Sequence, residues 1–133
     1  RAKLTEVQYR RAKHVIGENQ RVLDFSAATA AGDWKTAGDL MVASHNSLRD
    51  DYQVSCPQVD KLVEIATGIG LAGGVYGSRI TGGGFGGCTV TLAQTSAVDA
   101  ISEKLLTEYQ AATDTQATCF TSRPARGAHI VSG

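Results

Sequence analysis

The chain has 133 residues, 42% of them hydrophobic, and its 13 basic side chains are balanced by 13 acidic ones. That length suits a single domain, residues 1–133, with a real core, and the cancelled charge supplies no bulk attraction to nucleic acid or to an anionic membrane. No apolar run reaches the roughly 18 residues of a membrane span, and the basic start "RAKLTEVQYRRAK" has no apolar stretch behind it, so the chain reads as soluble, without nucleic-acid or membrane partners.

Val15, Ile16, Val22, Leu23, Ala27 and Ala30 recur at three- and four-residue steps and predict a helix from about Thr5 to Ala31 with that stripe on a core. Gly32 closes it, and Asp33 caps a second helix whose inward face is Trp34, Ala37, Met41, His45 and Leu48, antiparallel to the first. His45, with no partner motif beside it, reads as a packed histidine bonded to a neighbour rather than a catalytic one. The polar run "SLRDDYQVSC" reads as a loop. Its adjacent acids Asp50 and Asp51, next to Tyr52, diverge into a solvated turn rather than converging as a carboxylate pair.

Pro57 suits the first turn of a third helix with Val59, Leu62, Val63 and Ala66 inward. From Gly68 to Gly87, ten glycines in twenty residues end helical structure. "VYGSRI" predicts a short strand, and "CTVTLA" alternates Cys88, Val90 and Leu92 against Thr89, Thr91 and Ala93, as a strand with the first set buried does. Ser96 is expected to cap a fourth helix facing inward through Val98, Ile101, Leu105 and Tyr109, and "ATCFTS" and "AHIVS" are expected to close the chain as strands. The predicted fold class is α+β, with helices packed on one side of a mainly antiparallel sheet. Cys56, Cys88 and Cys119 are odd in number, scattered and without CxxC spacing, so they read as reduced thiols of a cytoplasmic protein.

Between the two predicted strands lies "TGGGFGG", five glycines in six residues after Thr81. A hairpin needs one or two. Bare amides can form a nest for an anion such as phosphate, or bare surface can allow close packing, and glycine content leaves both open. Gly82, Gly84 and Gly87 satisfy GxGxxG, but between strands rather than at a helix start, so the dinucleotide match is false, and no GK[ST] of a P-loop is present.

"GSRITGGGFGGCTVTL", residues 77–92, closely resembles the third sequence motif of the GHMP small-molecule kinases, in the form seen in galactokinases. "YRRAKHVIGENQRV" and "GDLMVASHNSLRDDYQVSCPQVDKLVEIA" follow the same resemblance in order and spacing, and only the tail from about Gln94 is generic. The resemblance is to the C-terminal part, and it implies the ferredoxin-like domain of that family. It implies an enzyme that moves the γ-phosphoryl of ATP to the 1-hydroxyl of galactose with magnesium on the phosphates. Another sugar (N-acetylgalactosamine, arabinose), or a sugar and ATP sensor regulating a partner protein without turnover, remain alternatives. It assigns Thr81, Gly82, Gly83, Gly84, Phe85, Gly86 and Gly87 to a loop beside the phosphates, with Arg79 as a possible neutralising charge. The sugar-binding signature, the serine-rich nucleotide loop and the catalytic aspartate and arginine of the family have no counterpart here. The chain alone is therefore expected to be inactive, to hold no catalytic or metal residue, and to expose an apolar surface where the missing N-terminal part packs.

Overall fold

A computed structural model describes residues 4–125, 127 and 130. Helix α1 runs Glu6–Ala30, helix α2 Trp34–Ser47 and helix α3 Pro57–Ile69; strands β1, Val75–Thr81, and β2, Cys88–Ala93, follow, and helix α4, Val98–Thr113, comes after them. Local chemistry sets the boundaries. The Thr5 hydroxyl accepts from the Gln8 amide while the Gln8 side chain accepts from the Thr5 amide, a reciprocal capping box that starts α1. Gly32, at φ +71°, ends that helical run, and the Asp33 carboxylate accepts from the Thr36 amide at 3.0 Å to start α2. Pro57 stands in the first turn of α3, as its missing N–H allows.

The two strands pair antiparallel, from Val75 opposite Ala93 to Thr81 opposite Cys88, with an irregularity between Val75 and Gly77. Helices α2 and α3 pack on β1, α1 packs on α2, and α4 packs on α3. Val59, Val63, Ala66, Ala37, Met41, Val75, Ile80, Ile101 and Tyr109 form the core, matching most of the faces expected for α2, α3 and α4. The approach of α2 to β1 is backbone on backbone. A Cβ on Gly38 would stand 2.0 Å from the Tyr76 carbonyl oxygen, and one on Gly77 2.2 Å from the Gly38 oxygen.

Helix α1 corrects the sequence reading. The expected core stripe faces outward, with Val15, Ile16, Val22 and Leu23 between 51% and 70% exposed. The inward face carries His14, Glu18 and Ala28, because polar groups on α2 satisfy it: Ser47 Oγ lies 3.0 Å from His14 Nδ1, and the Ser44 hydroxyl donates to Glu18 at 2.7 Å. Those two pairings, with α1 numbers rising as α2 numbers fall, show that the helices run antiparallel as expected.

Other expectations shift as well. "SLRDDYQVSC" is not simply a loop, since α2 widens into a π-helical turn at Leu48–Tyr52 that ends at Gln53 in a left-handed conformation, φ +62°. Strand β2 turns its hydroxyl face inward: Thr91 meets the buried Ser78 at 2.9 Å, which leaves Cys88 exposed and Val90 45% exposed. Ser96 caps nothing, because a short 3₁₀ turn, Thr95–Ala97, leads into α4 and places Ala97 at the cap. Residues 117–122 form no strand; the Cys119 thiol donates to Ser102 on α4 at 3.4 Å, so the segment runs beside α4 instead of extending the sheet. The expected strand "AHIVS" lies outside the described residues except for Ile130, which is in no strand. Cys56, Cys88 and Cys119 are free thiols.

Candidate functional site

The β1–β2 ladder ends at Thr81 opposite Cys88, and the six residues between them bridge the strand ends. Four glycines there are left-handed, Gly82 at φ +89°, Gly84 at +88°, Gly86 at +136° and Gly87 at +95°, conformations that a side chain disfavours. Phe85 is left-handed too, at φ +63°, and the residue is 78% exposed. A non-glycine residue held there is backbone strain that needs support from its surroundings. The support is Val54, whose carbonyl accepts the Phe85 amide at 2.6 Å. Gly84 is pressed on the same residue, since a Cβ would meet the Val54 oxygen at 2.6 Å.

The glycines therefore divide by cause. Gly84 is bare for both packing and φ, and Gly82, Gly86 and Gly87 for their φ. Gly83 has neither cause: its φ is not left-handed, and nothing lies within 4 Å of a Cβ placed on it. Apart from Phe85, no amide of residues 82–87 has a hydrogen-bond partner among the described residues.

Thr81 through Cys88 line an open bowl of about 480 Å³. A larger open groove, about 1110 Å³, runs from Gly83 and Phe85 across Val54, Gln53 and Tyr52 to Arg11, Val15 and Ile16 of α1. All seven loop residues named from the sequence are thus brought together. Arg79 is not with them. It lines neither cavity; its Nε donates to the Ile80 carbonyl at 3.0 Å, and its charge acts on His14 and Glu18 of α1.

Sequence reasoning missed Arg11 and Val54. Arg11 donates to the Asp51 carbonyl and, at 2.9 Å, to Gln53 Oε1, and lies 5.8 Å over the Tyr52 ring. Tyr52 in turn stacks on His14 with centroids 4.5 Å apart. The only sequence signal for Arg11 was a basic residue on an amphipathic helix, and for Val54 there was none, because both roles depend on tertiary contacts.

The acids diverge as expected, but the turn is solvated only at Asp50, since the Asp51 side chain is 13% exposed. Asp50 is exposed and doubly bonded to Arg49, at 2.8 and 3.0 Å, which holds its carboxyl below the usual carboxylate range. Asp51 points toward α1, bonded to Lys13 at 3.0 Å and to Ser47 at 3.1 Å, and Lys13 above all holds it low. Burial pushes Glu18 up, but hydrogen bonds from Ser44 and Arg21 outweigh it and leave the carboxyl low. His14 is held below its usual value by burial, helped by the charges of Arg21 and Arg79.

The bowl offers peptide N–H groups, one threonine hydroxyl and one thiol, a set suited to anionic oxygens. It does not suit magnesium: no carboxylate lines it, and no group of three or more His, Cys, Asp or Glu among the described residues could hold a metal ion. No helix among the described residues is long and apolar enough to cross a membrane.

Comparison with known proteins identifies the family. Residues 25–111 match the family described as GHMP kinases C terminal. The chain is 50% identical over 123 residues to a galactokinase of Bos taurus and 50% identical over 117 residues to one of Roseiflexus sp. (strain RS-1). These alignments cover 92% and 88% of the chain but 30% and 29% of the relatives, so the chain spans under a third of their length. The crystal structure of Lactococcus lactis galactokinase complexed with galactose superimposes with a TM-score of 0.78 at 36% identity, over 84% of this chain and 28% of that one. With its helices and antiparallel strand pair matching that domain, and residues 25–111 matching the family model, the chain belongs to the GHMP kinases through their C-terminal domain.

Proposed function

We propose that this chain serves as the C-terminal part of a galactokinase, with residues 82–87 forming the wall against the ATP phosphates while the γ-phosphoryl passes to the 1-hydroxyl of galactose. The observation that carries this reading is Gly83, bare without a demand from φ or from packing within the chain, in a loop whose neighbouring amides are free to donate. Phosphoryl transfer depends mainly on positioning and on donors aimed at developing charge. The loop amides supply such donors, and the Val54 contact holds them in place before nucleotide arrives. Magnesium, where the reaction uses it, would take no ligand from the residues lining this bowl, and the groups that activate the sugar hydroxyl would belong to the rest of the enzyme. That remainder would also cover the outward face of α1 formed by Val15, Ile16, Val22 and Leu23.

A sugar panel read by ADP release, run on the full-length protein containing this segment, tests the reading. Galactose is expected to give the highest kcat/KM. A preference for N-acetylgalactosamine or arabinose would move the assignment to another sugar kinase. Nucleotide-dependent capture of a partner protein with no ADP release on any sugar would replace the kinase by a sensor.

A further inference from the structure

A buried histidine, His45, and a half-buried carboxylate, Asp60, pair beside the stem of the loop. His45 of α2 is 2% exposed. Its Nδ1 accepts the backbone N–H of Ile80 at 3.2 Å, and its Nε2 lies 3.2 Å from Asp60 Oδ1 on α3. A peptide N–H can only donate, so Nδ1 carries no proton and Nε2–H donates to Asp60, which fixes one neutral tautomer. Burial holds the imidazole neutral, with Asp60 the main opposing influence and Arg49 and Asp50 of the π-helical turn acting weakly in opposite directions.

The partners of this pair lie at both ends of the glycine loop. Ile80 precedes Thr81, the last ladder residue before the loop, and Asp60 accepts from the Ser55 hydroxyl, next to the Val54 that holds Phe85. One continuous set of hydrogen bonds thus joins the loop's stem, through His45 and Asp60, to the segment gripping its tip. We propose that His45 is a positioning residue for the nucleotide: its Nδ1 sets the stem of the loop, through Ile80, in the stance that aims the loop amides at phosphate, without touching ATP itself. This rests on the reading of the loop as a phosphate wall.

Asparagine and glutamine divide the two bonds. In His45→Asn the amide oxygen stands where Nδ1 stood and can accept from Ile80; in His45→Gln the amide nitrogen stands where Nε2 stood and keeps Asp60, while Ile80 loses its acceptor. In the full-length protein, His45→Gln and His45→Leu are expected to raise the KM for ATP about tenfold or more, to leave the KM for galactose unchanged, and to speed hydrogen exchange across residues 79–88. His45→Asn is expected to restore both readouts. Equal damage in His45→Asn and His45→Leu, or parallel loss of kcat and of both KM values, would overturn the proposal. Failure of both His45→Gln and His45→Leu to fold beside an active His45→Asn would overturn it too, in favour of a purely structural bond. A harmful Gly83→Val beside harmless His45 variants would refute this inference alone, whereas a harmless Gly83→Val would refute the loop reading beneath it.

Discussion

Two buried histidines couple this fold to pH. Both His14 and His45 are held below 6.5, burial being the largest cause in each. Above that value both rings are neutral folded or unfolded, so they leave stability unchanged. As pH falls below it, the unfolded chain takes up protons that the folded chain refuses, and stability declines by up to about 1.4 kcal/mol per pH unit for each ring. Glu18, depressed from 4.5, contributes stability above that pH, which is lost further down as it protonates. Urea unfolding of the chain at a series of pH values is expected to show a plateau above about pH 7 and a decline beginning near 6.5. A flat profile down to about pH 5 would contradict the burial of these rings. The sequence supported the packed reading of His45 because no partner motif stood near it. Its partners, Ile80 and Asp60, are separated from it along the chain and met only through the fold.

The elements show what periodicity can and cannot tell. Gly32, Asp33 and Pro57 marked helix ends correctly because such end signals are local chemistry. The stripe of α1 was identified correctly as one face, yet its direction was not, because the polar face had partners in Ser44 and Ser47 that a one-dimensional pattern does not reveal. The β2 alternation likewise gave the period and not the side. The glycines of α1 and α2 provide a test of element packing. Gly38→Ala gains helix propensity worth about 1 kcal/mol but drives a Cβ into the Tyr76 backbone, 2.0 Å away, and the net expected loss is at least about 2 kcal/mol. Gly17→Ala meets only the flexible Arg21 side chain at 3.4 Å and is expected to gain up to about 1 kcal/mol. Thermal unfolding compares the pair, and a neutral or stabilising Gly38→Ala would contradict the close crossing of α2 on β1.

At the scale of the whole molecule, Val15 and Ile16 of the outward α1 stripe also line the groove that ends at Phe85 of the glycine loop, with Arg11 and Gln53 between them. The loop was the most legible part of the candidate site, since its glycine excess and motif stand in the sequence. The division of labour within it was not legible, because φ values and the Val54 contact arise only on folding. That division selects the decisive experiment. Gly84→Val would clash with Val54 and confuse folding with function, whereas Gly83→Val meets nothing in this chain. ATP kinetics of the full-length Gly83→Val enzyme, with its melting temperature and galactose affinity measured alongside, test the role of the loop most directly. Phosphoryl transfer is expected to fall at least about 100-fold, equivalent to roughly 2.7 kcal/mol of transition-state stabilisation, with melting temperature and galactose binding unchanged. Near-normal phosphoryl transfer in a folded Gly83→Val enzyme would contradict the account and leave residues 82–87 as a connection between strands.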